Sequence, residues 1–305
     1  MIWDKLVSAA CSFGQEVVAE AINAAKAEQR AQTTTPVEPK GVAKNRVLES
    51  LTKLGFKEGW LEETKERLLV VEDAAMSFTS DYDLKYFSAL RDQCFEKTLS
   101  KARFDILQCL QSKDSGDILH PAVGADTESV EGVLTGATVL LAAEAVTPEQ
   151  DCSVFEIAIA FIFGKKSKER IEQDMANPGH PMLIGDEAIS NWIAKQNLAV
   201  VFGPRAVKDK TGVFHMLGIA AVDASAFSSI EKAESFAKDK ASQYAAIPFP
   251  TSITAKRTRC GGTIKYDVSA KSVFPPLRTN LIQVVKRVHP LANREMIVAI
   301  MEAAP

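Results

Sequence analysis

Apolar side chains recur at three- and four-residue intervals from the start of the chain: Ile2, Leu6, Ala10, Phe13, Val17, Ala21 and Ala24. That period puts them on one face of a helix running to about Arg30. Thr33-Thr34-Thr35-Pro36 breaks the period, and a polar stretch follows to about Lys44. These patterns predict an amphipathic arm over residues 1–32, with Leu6, Phe13 and Val17 as its candidate assembly contacts, and a linker over 33–44. Val47, Leu48, Leu51 and Leu54 predict a short helix that Gly55 ends from the left-handed conformation.

Further on, Arg67 to Met76 is apolar and partly β-branched, which predicts a strand. Leu84 to Leu110 predicts a long helix with the stripe Phe87, Leu90, Cys94, Thr98, Ala102, Ile106 and Cys109, small in its middle. Val133–Val146 and Val154–Phe163 follow as strands. The second is apolar on both faces, as a strand in the middle of a sheet must be. A charged helix spans Lys165–Met175, and a short one with Trp192 spans Asp186–Gln196. Leu198–Phe202 and Val213–Val222 are expected to form a hairpin around a loop containing Pro204, Asp209 and Gly212. The helix Ser228–Ala246 presents Ile230, Ala233, Ala237, Ala241, Tyr244 and Ala245 on one face. Four strands close the chain: Thr251–Thr258, Thr263–Ser272, Leu281–His289 and Met296–Glu302, the first two joined by a turn at Gly261-Gly262.

One plan occurs twice in this order. A helix lined with small residues is followed by a pair of strands, first over Phe87–Phe163 and again over Ser228–Ser272. The expected fold class is therefore α+β. It comprises two domains, 45–180 and 181–305, each an antiparallel or mixed sheet packed by a long small-residue-striped helix, with the N-terminal amphipathic helix added. A chain of 305 residues with 46% hydrophobic content has ample core for two domains.

Charge changes the picture because it is uneven. Between Pro250 and Arg294 nine Lys and Arg stand against the single carboxylate Asp267, a net of +8 in a chain of net −3. A basic segment on an acidic body suits an anionic partner or head-to-tail contact between subunits. Arg257, Arg259, Lys265, Lys286 and Arg287 are its candidate contacts. Arg205 and Asp209, placed in a loop between two apolar strands, are expected first to form a salt bridge inside the turn, with binding of an anion or a neighbour as the alternative. On that placement, Arg205→Ala leaves folding intact.

Chemistry of the familiar kinds has no footing in the sequence. There is no GxxxxGK[ST], GxSxG, HExxH or EF-hand pattern, and no cofactor is indicated. The five cysteines have no CxxC pair. His120, His180 and His289 each precede a proline, which predicts loop positions, and His215 falls in a strand as a packed residue. No catalytic or metal site, small-molecule substrate or membrane-spanning segment is expected. No signal peptide is readable, so the sequence by itself points to the cytoplasm.

The segment from Asn191-Trp192 to Phe249 combines Phe202-Gly203-Pro204-Arg205, Asp209-Lys210-Thr211-Gly212, a strand reaching Gly218 and a helix with Ala233, Ala237 and Ala241. Upstream stand Arg91-Asp92-Gln93-Cys94-Phe95-Glu96-Lys97 and Val154-Phe155-Glu156-Ile157-Ala158-Ile159-Ala160. Together they resemble a poorly characterised bacterial α+β domain family, loosely related to small outer-membrane lipoproteins and to the N-terminal part of the flagellar ring protein T. The resemblance covers about two thirds of the chain, from about residue 84. It implies a role in a cell-envelope or appendage assembly and supplies no catalytic residues. The functional expectation is a non-enzymatic structural protein that self-associates or joins another subunit. The alternative is a protein that binds nucleic acid or another anionic polymer through the basic C-terminal strands.

Overall fold

The chain is described by a computed structural model over residues 34–79, 82–112, 127–176, 183, 187–260, 263–274 and 276–305. The expected arm, with Leu6, Phe13 and Val17, lies outside the described residues. Five helices and twelve strands are present among the described residues, all strand pairs antiparallel, so the fold is mixed α+β.

In the first half, β1 (Thr34–Val37) leads to α1 (Val42–Lys53), β2 (Gly59–Trp60), β3 (Arg67–Thr79) and α2 (Phe87–Gln111). Then come β4 (Thr127–Leu134), β5 (Ala137–Pro148), β6 (Cys152–Gly164) and α3 (Lys165–Ala176). The second half is α4 (Glu187–Lys195), β7 (Gly203–Lys208), β8 (Phe214–Asp223), α5 (Ile230–Ala246), β9 (Thr251–Cys260), β10 (Thr263–Ser272), β11 (Arg278–His289) and β12 (Arg294–Ala304).

Two sheets have the same construction. One runs β1-β3-β6-β5, with β2 also on β3, and the other runs β7-β8-β12-β11. In each, the second strand passes through a short 3-10 turn into the long helix. Asp83 accepts from Lys85 N at the turn Leu84–Tyr86, and Asp223 accepts from Ser225 N at the turn Ala224–Ala226. α2 then packs on β3 and β6, and α5 packs on β8 and β12. The repeat is therefore strand, strand, helix, strand, strand; it starts earlier than the expected helix-plus-strands pattern, and in the second copy its closing pair is β11–β12 rather than the expected Thr251–Ser272.

The third sheet is built from what each repeat inserts after its helix. Its order is β10-β9-β4, with Val130 of the first repeat opposite Ala255 of the second. Residues 45–180 and 181–305 thus share a sheet, and α2 and α5 share a core in which Phe95 stacks on Tyr244 at 4.9 Å. The expected boundary near residue 180 separates the repeats along the chain but not in hydrogen bonding.

Several local outcomes have clear causes. Gly55 ends α1 at φ +78°, with Phe56 N donating to Leu51 O and Gly55 N to Thr52 O, a Schellman motif. β6 lies between β3 and β5, consistent with its two apolar faces. The expected linker is not one: Thr34–Val37 pairs with Ala75–Phe78, and an edge strand tolerates Pro36 because one of its sides needs no N–H. The single strand expected over Val133–Val146 divides at Gly136, whose φ of +84° turns the chain from one sheet to another. A Cβ there would stand 2.8 Å from Lys168 N, and Gly136 N donates to Pro248 O at 2.7 Å. Leu198–Phe202 is turn rather than strand, and the strand begins at Gly203, φ +83°. That shift of five residues moves Arg205 out of the expected loop. Gly218 lets α5 lie on β8: a Cβ would fall 1.8 Å from Ala241 O.

Candidate functional site

β5 ends the five-stranded sheet and β7 begins the four-stranded one, and these two edges meet. They do so without a backbone ladder, so side chains make the junction. A β-bulge at Leu140 frees the carbonyl of Val139, which accepts from Arg205 Nη1 at 3.2 Å. Arg205 is buried at 7% exposure, its second acceptor is Pro204 O, and burial lowers its pKa to about 9. The expected role of Arg205 as an exposed anion contact is therefore corrected, since its guanidinium is consumed inside the protein.

Deeper in the same junction, Arg91 of α2 donates to Glu144 Oε1 at 2.5 Å and to Ala199 O at 2.5 Å. Its guanidinium lies over Phe202 at 4.7 Å. His289, at the end of β11, donates Nε2–H to Glu144 Oε2 at 2.7 Å. That tautomer is dictated by Nδ1, which accepts from the backbone N–H of both Leu291 and Ala292. Burial disfavours the imidazolium and the nearby Arg91 charge opposes it, so the pKa of His289 is lowered despite its carboxylate partner. Burial opposes the charge of Glu144 as well, yet Arg91 and His289 outweigh it and its pKa is lowered. Arg91 Nη1 is buried with no protein partner.

Two other charged clusters bind elements together. His215 of β8 bonds Glu302 Oε1 through Nδ1 at 2.8 Å and Asp209 Oδ2 through Nε2 at 3.3 Å. Burial opposes its charge, but the two carboxylates prevail and its pKa is raised. Glu302 Oε2 also accepts from Leu183 N. Asp209 caps its own turn by accepting from the Thr211 hydroxyl and from the backbone N–H of Val213 and Thr211, which holds its pKa far below the carboxylate range. Asp209 therefore closes the β7–β8 turn and steadies His215, in place of the expected contact with an anion or with Arg205. In the third cluster, Arg257 of β9 reaches inward to Glu128 and to Asp105 of α2 at 3.4 Å, over the ring of Phe104. Beside it, burial and the Asp105 charge raise the Glu72 carboxyl well above its usual range.

The remaining basic candidates do not converge. Arg259 shares the inward-facing side of β9 with Arg257, whereas Lys265 of β10 is opposite Thr258 on the outer side. Lys286 and Arg287 are neighbours on β11, so they point to opposite faces; Lys286 pairs with Glu295 at 2.9 Å and Arg287 donates to Lys286 O. The +8 run is thus divided between two sheets and four faces.

Two small cavities lie among the described residues, of about 10 Å³ beside Ala102 and Phe161 and about 20 Å³ beside His215 and Glu302. Each has room for about one water. Among the described residues, no group of three or more His, Cys, Asp or Glu side chains is arranged to hold a metal ion. No described helix is long and apolar enough to cross a membrane. Cys94 and Cys109 are buried thiols, each pushed by burial to about 12.

Sequence reasoning missed Arg91, Glu144, His289 and Glu302. One signal was available: a lone carboxylate in an apolar strand, as in Ala142-Ala143-Glu144-Ala145-Val146 and Ile300-Met301-Glu302-Ala303, calls for a buried partner. The proline after His289 misdirected the reading, since the residue is fully buried at a strand end.

No protein-family model matches the chain, and no curated protein matches it. Among solved structures, it is similar to the hypothetical protein FTT1539c from Francisella tularensis, seen in a crystal structure at 2.3 Å. The identity is 10%, the match covers 90% of this chain and 96% of the other, and the TM-score is 0.45.

Proposed function

We propose that this chain is a non-enzymatic structural protein that self-associates or takes a place in a larger bacterial assembly. The observation that carries the reading is the way the chain joins its own two repeats. They meet edge to edge, β5 against β7, through a buried Arg91–Glu144–His289 cluster and the Arg205–Val139 contact. The charged groups are invested in holding elements together, as a scaffold requires. The resemblance of residues 84 onward to a bacterial α+β family loosely related to outer-membrane lipoproteins and the flagellar ring protein T supports the same reading and favours a cell-envelope or appendage setting. The arm over residues 1–32 remains the candidate assembly contact through Leu6, Phe13 and Val17.

Negative-stain electron microscopy at moderate salt tests this, comparing the full chain with one starting at residue 33. A later start would remove β1 from its sheet and confound the result. Rings or filaments lost with the arm are expected. Monodisperse monomers in both samples would overturn the self-association reading.

A second reading has a specific basis. The outer side of β9–β10 is exposed and carries Lys256, Lys265 and Lys271. An anionic polymer laid on that side would bind with a steep salt dependence. A fluorescence titration with single-stranded oligonucleotide at two salt concentrations tests it, and affinity unaffected by salt would remove it.

A further inference from the structure

The repeat identifies an edge that pairs with no further strand among the described residues and that corresponds to a covered one. β11 occupies in the second sheet the place that β5 occupies in the first, and both strands carry a bulge near their start, at Leu140 and at Ile282. Aligned on these bulges, Val139 corresponds to Leu281 and Glu144 to Lys286. The partners agree: Glu144 is opposite Ile157 and Lys286 is opposite Ile297, and each of those isoleucines faces the long helix of its repeat.

Burial then diverges. Val139 is 3% exposed, because Gly203 and Arg205 of β7 cover it, whereas Leu281 is 42% exposed. The strand that covers β5 is the first strand of a repeat, and the other first strand in the molecule is β1. Both first strands contain proline, Pro36 in β1 and Pro204 in β7, so neither is suited to extend a full backbone ladder. Within the chain, successive repeats are joined last edge to first edge, a head-to-tail relation that closes on nothing.

We infer that β11 of one copy receives the β1 edge of a second copy, repeating between molecules the junction that β5 and β7 make within one. This inference rests on the self-association reading and adds to the arm a second required contact, with its partner and its polarity. The contact is heterologous: each copy has one β11 edge and one β1 edge, and propagation gives a ring or a filament. Leu281 is covered in the contact, as Val139 is in the internal one.

Two exposed positions allow a test on the full chain. Leu281→Arg blocks the β11 edge and Thr35→Arg blocks the β1 edge. The readout is sedimentation velocity over a concentration series, with circular-dichroism melting as the folding control and Val288→Arg, also on exposed β11, in place of Leu281→Arg if that variant melts early. The unmodified chain is expected to sediment as oligomers and each variant as a monomer. Their equimolar mixture should give a 1:1 dimer, since each then supplies one intact edge. Oligomers that persist in both variants would overturn the edge contact while leaving self-association standing. Monomeric variants that do not pair on mixing would also overturn it, by showing that the contact is not head to tail. An unmodified chain that stays monomeric throughout would overturn both this inference and the self-association it rests on.

Discussion

His289 and Glu144 lie 145 positions apart in sequence and 2.7 Å apart in space, the imidazole donating to a carboxylate that also receives Arg91. The link joins the end of β11 in the second repeat to the edge strand of the first, so the cluster is a measure of how firmly the repeats are held.

Removing the shared carboxylate tests that hold. Glu144→Ala leaves Arg91 buried without its carboxylate, held only by Ala199 O and the Phe202 ring, and breaking a buried ion pair from one side costs about 3–5 kcal/mol. Urea unfolding of the full chain should show the midpoint falling accordingly. Replacing Arg91 and Glu144 together by Met and Leu should recover much of the loss, because the desolvation of both charges disappears with them. An unchanged midpoint for Glu144→Ala would mean that the cluster does not stabilise the junction.

The two buried histidines have opposite pH signatures. His289 has a lowered folded pKa, so the unfolded chain binds its proton more readily, and stability falls as pH drops below about 6.5. His215 has a raised folded pKa, so the stability it contributes is full below about 6.5 and is lost as pH rises through the folded value. The expected result is that His215→Gln loses more stability at acidic than at alkaline pH. Guanidinium melts at pH 6 and pH 9 check this, and an equal loss at both would contradict the pairing with Glu302 and Asp209.

Arg205→Ala now carries a different expectation from the one its sequence context invited. Truncation leaves the bulge carbonyl of Val139 without its donor and empties a buried site, at about 1–3 kcal/mol for the unsatisfied group alone. A thermal melt by circular dichroism should fall by several degrees. A melt unchanged from the parent would return Arg205 to the role of a surface residue.

Close helix–strand approach at Gly218 predicts a large effect from a small change. The added methyl of Gly218→Ala would fall inside the van der Waals radius of Ala241 O and 2.3 Å from Ala245 N, so α5 must move off β8. Overpacking of a core costs about 1–3 kcal/mol and more when backbone must shift. Gly212→Ala is the comparison: it too is strained, at φ +85°, but nothing lies within 4 Å of its Cβ. Differential scanning calorimetry should rank Gly218→Ala as the more destabilised, and the reverse order would argue that α5 has slack over the strand.

Most helices and strands were legible from periodicity because that pattern depends only on which face of a segment meets the core. The apolar run Val154–Phe163 announced a central strand, and β6 lies between β3 and β5. Legibility failed where glycine changes direction inside an apolar run, at Gly136 and Gly203, since hydrophobicity is blind to a left-handed backbone. It failed again for charge. The basic run is one segment in sequence, but the two-residue alternation of strands sends Lys286 and Arg287 to opposite faces and turns Arg257 inward to Asp105 and Glu128.

Of the duplication only the two long helices were visible along the chain; the strand pair Thr251–Ser272 expected to complete the second copy is the inserted sheet, and β11 and β12 are the counterparts of β5 and β6. What only the tertiary structure decided was the extent of the repeat, the sharing of a third sheet, and the meeting of β5 with β7. Those depend on hydrogen bonds and ion pairs between residues more than a hundred positions apart, such as Val130 with Ala255 and Glu144 with His289. No local pattern encodes a partner at that distance; a lone carboxylate in an apolar strand states only that a partner must exist, and folding supplies which one.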